Sequence, residues 1–136
     1  MSKICGQGDA LCFFVFHCPV FFLGRERADL YARIEKRADG MMKAGLEREV
    51  KGVLKKKLGL TASGALGIKE IRGWLEGKTS REEAVRLLKQ HTRNYAKRQL
   101  SWFRHEKGVV SVPVGPEEKP KDTAQKILAL WESSKK

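Results

Sequence analysis

The sequence is poor in residues that carry metal or redox chemistry. It holds three cysteines, all within the first eighteen residues, and three histidines, and it contains no C-x-x-C pair. An odd number of cysteines without a regular spacing is typical of reduced thiols in a cytoplasmic protein rather than of a disulfide framework. A metal site formed by Cys12, His17 and Cys18 would match no standard ligand spacing, so we expect none there.

The chain also lacks a phosphate-binding loop and has an excess of basic residues. The pattern G-x-x-x-x-G-K-[ST] occurs nowhere in its 136 residues. There are 28 lysines and arginines against 16 acidic residues, which gives a formal net charge of +12. Such a charge favours a polyanionic partner such as nucleic acid, but by itself it fits a merely basic soluble protein equally well.

One apolar run, residues 10–24, is long enough to need an assignment. It is shorter than the ~20 residues that span a bilayer, and His17 and Pro19 interrupt it. It has no small-x-small cleavage site, and Lys3 is offset by Asp9, so a signal peptide is not indicated. Its phenylalanines and valines favour either two buried strands divided near Pro19 or one strand entered by a loop. We expect no membrane segment.

From about Ala28 the chain has the pattern of helices. Apolar residues recur every three or four positions as far as Leu54, and Gly45 predicts either two helices or one helix with a break. A Gly- and Ser-rich loop then leads into a short helix through residues 69–76, which Gly77 ends.

The last third of the sequence contains clear signals for helix and strand. Ser80 as N-cap and Glu83 three residues later predict a capping box for a helix from Arg81 to about Glu106. Residues 109–114 are typical of a strand, and a turn-rich loop follows. The closing helix is expected to turn three apolar side chains inward: Ile127, Leu128 and Trp131. The order strand, helices, strand, helix predicts the tail of an α/β protein.

The predicted helix over residues 81–106 separates basic from apolar side chains. Lys89, Arg93 and Lys97 recur at every fourth position, and the same stripe includes Arg86 and Arg104, although Leu100 also falls within it. The opposite side carries Val85, Leu88, Tyr95, Ala96, Trp102 and Phe103. Its aromatic rings are expected to lie mostly in the core, with stacking on a flipped base as the less favoured alternative. Like charges four residues apart destabilise a helix, so the stripe predicts either a track for a phosphate backbone or a solvated face that is merely basic.

Two other features leave alternatives open. Gln99 falls on the apolar side of the same helix, either as a buried amide bonded to backbone or substrate or as a partly exposed residue at the boundary. The small residues of segment 61–67 would let backbone amides approach a ligand, but they also suit an ordinary loop between helices. By pattern alone, Arg37 is indistinguishable from its basic neighbours.

Several of these segments together resemble the C-terminal half of the tRNA dimethylallyltransferases, also called tRNA isopentenyltransferases. The matching segments are LYARIEKRADGMMKAGLEREV (30–50), ALGIKEIRGWLEG (65–77), TRNYAKRQLSWFR (92–104) and VPVGPEEKPKDTAQKIL (112–128). The most specific of them is AKRQ-x-x-W-[FL]-R. The resemblance runs from about Asp9 to the end of the chain, and residues 1–8 are expected to be an unmatched N-terminal stub.

The resemblance implies the C-terminal part of a P-loop-like α/β core domain over residues 9–136, mainly helical with one to three short strands. It also implies transfer of a dimethylallyl group from dimethylallyl diphosphate, with Mg²⁺, to N6 of the adenosine 3′ of the anticodon. The partner would be the anticodon stem-loop of a tRNA, bound by a cytoplasmic monomer. In the family the P-loop, the general-base aspartate and an inserted domain precede the matched region, so we expect this chain alone to be inactive. A stand-alone RNA-binding module and an inactive fragment are the alternatives.

Site residues follow from the resemblance by position. Arg37 matches the family arginine expected near the diphosphate. Two segments match the tRNA-contacting regions, and their candidate residues are Thr92, Arg93, Lys97, Arg98 and Gln99 in one, and Thr61, Ser63, Gly64 and Lys69 in the other. The chain departs from the family where Gly64 replaces the usual Gln or Arg and Ile68 replaces the usual Tyr, which puts direct side-chain contacts at those two positions in doubt.

Overall fold

The computed structural model describes residues 19–56 and 58–134, and this part of the chain is mainly helical with two short strands. The elements in order are β1 (Val20–Arg25), α1 (Arg27–Ala44), α2 (Leu46–Leu54), α3 (Leu60–Ser63), α4 (Ile68–Leu75), α5 (Arg81–His105), β2 (Val109–Val114) and α6 (Pro120–Ser133). The predicted mixture of helices and strands is therefore confirmed. The part of the apolar run that precedes Pro19 lies outside the described residues.

The two strands pair in parallel, with Val20 opposite Val109 and Arg25 opposite Val114. Parallel neighbours need a long crossover connection, and the helices from α1 to α5 supply it. Val112 and Val114 are buried, as expected for a β-branched strand in a covered sheet. The strand over residues 109–114 is confirmed, and a strand after Pro19 is also present, although Val20 and Leu23 on it are each 50% exposed rather than buried.

The break between the first two helices lies where the sequence places it. Gly45 has φ +97°, a left-handed conformation that glycine adopts without a steric penalty. Its amide donates to the carbonyls of Met41 and Met42, which closes α1 before α2 begins. Of the two predicted alternatives, two helices or one helix with a break near Gly45, the structure shows the first.

The core lies where α4 packs between α2 and α5. Val50, Ile71 and Ala84 form its centre, one from each of these helices. The residues packed around them are Met42, Leu46, Leu54, Ile68, Trp74 and Leu75. Ile68, where the resemblance leads one to expect a tyrosine, thus packs against the core.

The segment before α4 is more regular than expected. The sequence predicts a loop from Gly59 onward, but residues 60–63 form the single helical turn α3, with the amide of Ser63 bonded to the carbonyl of Gly59 at 3.0 Å. Gly67 ends the segment with φ +92° and is buried. A single turn is too short to leave a periodic hydrophobic signal in the sequence, which is why the prediction was wrong there.

Helix α5 begins as predicted, but with half of a capping box. The Ser80 hydroxyl accepts from the amide of Glu83 at 3.1 Å, whereas the Glu83 carboxylate binds the guanidinium of Arg86. The helix runs to His105, one residue short of the predicted end, and Gly108 follows with φ +82°.

Helix α6 is attached through the loop after β2. The Glu118 carboxylate accepts from Lys126 Nζ at 2.7 Å, from the amide of Gly115 and from the hydroxyl of Thr123, and these bonds lower the pKa of Glu118 to about 2. The prediction that Leu128 and Trp131 face inward is wrong, because they are 51% and 41% exposed. Within the described residues α6 packs chiefly on β2, so only a narrow side of the helix is covered.

In the part of the chain that the structure describes, no helix combines the length and the apolar character needed to cross a bilayer.

Candidate nucleic-acid interface

The first half of α5, residues 81–93, is bound to the rest of the fold. Lys89 Nζ lies 2.7 Å from a carboxylate oxygen of Asp39, and Arg93 Nη1 binds Glu35, so both cations connect α5 to α1. The two acids are four residues apart on α1 and the two cations are four residues apart on α5. The pairs therefore lie side by side along neighbouring helices. This matched spacing is a signal in the sequence that could have predicted the pairing.

The second half of α5, residues 94–105, has no acidic residue and is largely exposed. Lys97 and Arg104 make no hydrogen bond or ion pair within residues 19–56 and 58–134. The guanidinium carbon of Arg98 lies 5.9 Å from the centre of the Tyr95 ring, a distance typical of a cation–π contact. The basic stripe is thus divided: its first members are neutralised by carboxylates, and its last members face solvent.

Two of the three residues Tyr95, Trp102 and Phe103 are largely exposed. Tyr95 is 47% exposed and Trp102 is 58% exposed, so the prediction that both face the core is wrong. The reason is length: α4 has eight residues and packs against the first half of α5, where Ala84 and Leu88 are buried. Phe103 does pack inward and stacks on Phe22 with 4.7 Å between the ring centres.

A cleft of about 160 Å³ lies between β1, the start of α1 and the second half of α5. Its lining is mostly apolar, and its residues are Phe22, Leu23, Arg25, Leu30, Ala96, Gln99 and Leu100. Leu100, which interrupts the basic stripe, is half-buried and lines this cleft beside β1, whereas Lys97 and Arg104 are exposed. Gln99 is exposed, which favours the boundary interpretation over a buried amide. The Arg25 guanidinium is bonded to Asp29 and to the carbonyl of Gly115 at 2.8 Å.

The segment with Thr61, Ser63, Gly64 and Lys69 is attached to α5 through Glu70. Ser63 is half-buried and the other three are exposed. The buried Glu70 carboxylate accepts from the amide of Gly67 at 2.8 Å and lies 2.6 Å from Nδ1 of His91 on α5. Burial alone would raise the pKa of Glu70, but the bonds from His91 and from backbone amides outweigh it and lower that pKa.

The Glu70–His91 contact was not predicted from the sequence. A glutamate three residues after a glycine at a helix start was its only signal. The contact holds the start of α4 against α5 at His91. The candidate tRNA-binding segment that precedes α4 therefore lies near the one on α5, which begins at Thr92. Thr92, beside His91, donates its hydroxyl to the carbonyl of Leu88 at 2.7 Å.

Comparison with known proteins identifies the family of the chain. The family model described as IPP transferase matches residues 6–106. The chain belongs to the IPP transferase family. A tRNA dimethylallyltransferase of Desulforudis audaxviator is 49% identical over 96 residues, which are 68% of this chain and 31% of that protein. One of Desulforamulus reducens is 43% identical over 114 residues, which are 83% of this chain and 40% of that protein.

Solved structures of the family share the fold. The full-length tRNA isopentenylpyrophosphate transferase of Bacillus halodurans superposes with a TM-score of 0.77 at 33% identity, covering 89% of this chain and 42% of that one. The tRNA isopentenylpyrophosphate transferase of Staphylococcus epidermidis gives a TM-score of 0.72 at 30% identity, covering 86% and 38%. This chain therefore spans less than half the length of these IPP transferases, which fits the predicted portion of a longer family member.

The structure separates Arg37 from the open half of α5. Arg37 is exposed on α1 and lies two residues from both Glu35 and Asp39, so helix geometry places it away from the side of α1 that these acids turn toward α5. It makes no hydrogen bond or ion pair within the described part of the chain. Among those same residues, no group of three His, Cys, Asp or Glu side chains could hold a metal ion.

Proposed function

We propose that this chain supplies part of the tRNA-binding surface, and part of the diphosphate site, of a tRNA dimethylallyltransferase. In this reaction the N6 amine of the adenosine 3′ of the anticodon attacks the allylic carbon of dimethylallyl diphosphate. The new C–N bond forms as the C–O bond to the diphosphate breaks, and N6 loses a proton. Family membership and the names of the relatives support the reaction class. We expect a cytoplasmic enzyme that acts as a monomer on the anticodon stem-loop.

The proposal rests on the second half of α5, which is largely exposed and whose charged side chains are all basic. Lys97 and Arg98 are exposed there, and no carboxylate of residues 19–56 and 58–134 neutralises them. A phosphate backbone would supply the missing negative charge and would release its counterions on binding. In the first half of the same helix, by contrast, Arg86, Lys89 and Arg93 already have acidic partners.

Arg93 and Thr92, unlike Lys97, already have hydrogen-bond partners within the protein. A phosphate near Arg93 would have to compete with Glu35 for the guanidinium, so its contribution to binding is expected to be smaller. The Thr92 hydroxyl donates its hydrogen to the backbone and can therefore act toward RNA only as an acceptor. Gln99, at the rim of the apolar cleft, has a free amide that could bond a base or the channel lining.

The segment before α4 adds a second contact region. Thr61 and Lys69 are exposed and could bind a phosphate or a ribose hydroxyl. Gly64 has no side chain, so it can contribute only its backbone, unlike the Gln or Arg common in the family. Glu70 holds the C-terminal end of this segment against α5, so both regions can contact one RNA.

Arg37 is assigned to the diphosphate. Its exposed and unpaired guanidinium would neutralise negative charge as the diphosphate departs. Mg²⁺ is expected with the diphosphate, and we assign it no ligand among the described residues, which contain no group of three His, Cys, Asp or Glu side chains that could hold it.

Binding to tRNA tests the role of α5. Lys97→Ala should weaken binding of the chain to an anticodon stem-loop and reduce the slope of log K against log salt by about 1, because one phosphate contact is lost. Lys121→Ala, which removes an exposed lysine of α6, is the matched control and should leave the slope unchanged. If Lys97→Ala leaves the slope of log K against log salt unchanged, the stripe is a solvated face and does not bind phosphates.

Reconstitution tests the chemistry. Joined to the N-terminal part of a full-length IPP transferase, the chain should transfer the dimethylallyl group to tRNA, and Arg37→Ala in that fusion should slow transfer more than it weakens tRNA binding. A folded fusion that binds tRNA but transfers nothing would contradict the enzyme interpretation and favour an RNA-binding module.

A further inference from the structure

The side of α5 that faces α4 continues beyond the end of α4. Ala84 and Leu88 on this side are buried, and His91 contacts Glu70 at its boundary. Tyr95 and Trp102 follow on the same side, because seven residues correspond to nearly two full turns. Both rings are largely exposed. The exposed part of this side is therefore aromatic and lies next to the segment that Glu70 holds against α5.

Charge distinguishes this surface from an uncovered piece of core. Arg98 lies between Tyr95 and Trp102 on the same side, with its guanidinium against the Tyr95 ring. A cation in the middle of a core-facing stripe is rare, because burying it without a carboxylate is costly. No acidic residue occurs from Arg93 to His105. The surface is thus complementary to an anionic partner that also presents flat apolar faces.

Other aromatic rings hold the Trp102 ring in place. It meets the Phe103 ring edge to face at 4.7 Å, and Phe103 in turn stacks on Phe22 of β1. More than half of Trp102 remains exposed although it has these neighbours. A ring that is already oriented loses little conformational freedom when a second flat group stacks on it.

We propose that Tyr95, Arg98 and Trp102 form a stacking surface for unpaired bases of RNA. The two rings are about 10 Å apart along the helix, seven residues at 1.5 Å each, which exceeds the ~3.4 Å between stacked bases. Each ring therefore takes a different base, and the guanidinium lies between them near the backbone or a third base. Paired bases in a duplex cannot offer their faces in this way, so the surface selects loops over stems.

This proposal rests on the proposed function, because it names the part of the RNA that α5 contacts. The experiment uses the full 136-residue chain with two labelled RNAs: an anticodon stem-loop, and a blunt duplex with the same number of phosphates. Trp102→Leu keeps an apolar side chain but removes the aromatic ring, whereas Trp102→Phe keeps a ring. Lys97→Ala serves as the electrostatic control. Thermal unfolding of each variant reports whether the fold is retained.

We expect Trp102→Leu to weaken stem-loop binding about tenfold and duplex binding less than twofold, with an unchanged salt slope. Trp102→Phe should recover most of the loss, and Tyr95→Leu should repeat the pattern. Lys97→Ala should weaken binding of both RNAs by a similar factor. If Lys97→Ala weakens binding and Trp102→Leu does not, stacking is overturned while the proposed function stands. The proposal is also overturned if Trp102→Leu weakens binding of the two RNAs equally or substantially lowers the unfolding temperature. Either result would mean that the ring has a structural role, for example in a contact with another protein surface. If the wild-type chain binds neither RNA, the proposed function fails first.

Discussion

The two halves of α5 carry the same alternation of basic and apolar side chains but have different neighbours. In residues 81–93 the apolar side is covered by α4, and the cations Lys89 and Arg93 bind acids of α1. In residues 94–105 no helix covers Tyr95 or Trp102, and the cations have no acidic partner in the described structure. The position of a residue on this helix is therefore less important than what packs against it, and the first half attaches the helix to α1 and α4.

The largest expected difference is in the response to side-chain removal. Leu88→Ala should lower the free energy of unfolding by about 2–5 kcal/mol, because Leu88 is 2% exposed and a cavity would remain. Tyr95→Ala, on the same side of the helix, should cost less than about 1 kcal/mol. Urea unfolding followed by circular dichroism measures both. Equal losses of unfolding free energy would show that the two halves of α5 are equally well packed, contrary to the difference described above.

The boundary between the halves should respond to Glu70. Glu70→Gln should lower the free energy of unfolding by about 1–3 kcal/mol at neutral pH, because a buried hydrogen-bonded carboxylate is replaced by an amide that cannot accept both bonds equally well. Unfolding at a series of pH values adds a signature. The lowered pKa of Glu70 means that its contribution is fully present above its ordinary value of 4.5 and is lost as the pH falls through the lower folded value.

Two controls separate this signature from other titrations. Glu70→Gln should lose the part of the acid sensitivity that Glu70 supplies. His91→Ala, measured in the same series, shows how much of it depends on the imidazole. Acid sensitivity that is identical in wild type and Glu70→Gln would mean that Glu70 does not stabilise the boundary through its charge.

The smallest expected effect concerns the cations. A double-mutant cycle of Arg93→Ala and Glu35→Ala should give a coupling of about 0.2–1 kcal/mol, because the pair is partly exposed. Lys97→Ala, one turn further on, should change stability by no more than about 0.5 kcal/mol while weakening RNA binding. No measurable coupling would indicate that Arg93 is as free as Lys97 and would extend the RNA-binding track into the first half of α5.

Local features of the fold were predictable. Gly45 ends α1 because a left-handed residue without a side chain suits that position, and Ser80 begins α5 because its hydroxyl satisfies a free amide. Both depend on a few consecutive residues, so the sequence states them directly. The tRNA dimethylallyltransferase resemblance was equally accessible, because AKRQ-x-x-W-[FL]-R is a contiguous motif.

Exposure was not predictable in the same way. Periodicity assigns Tyr95, Trp102, Leu128 and Trp131 to apolar sides, but whether an apolar side is covered depends on the length and position of another element. In the described structure α4 is too short to cover Tyr95 and Trp102, and α6 has little besides β2 to pack against. Apart from the single turn α3, the sequence by itself determined the helices, most of their ends, the two strands and the family. Only the tertiary structure decided which cations are neutralised and which aromatic rings stay open, because those properties depend on contacts between residues far apart in the chain.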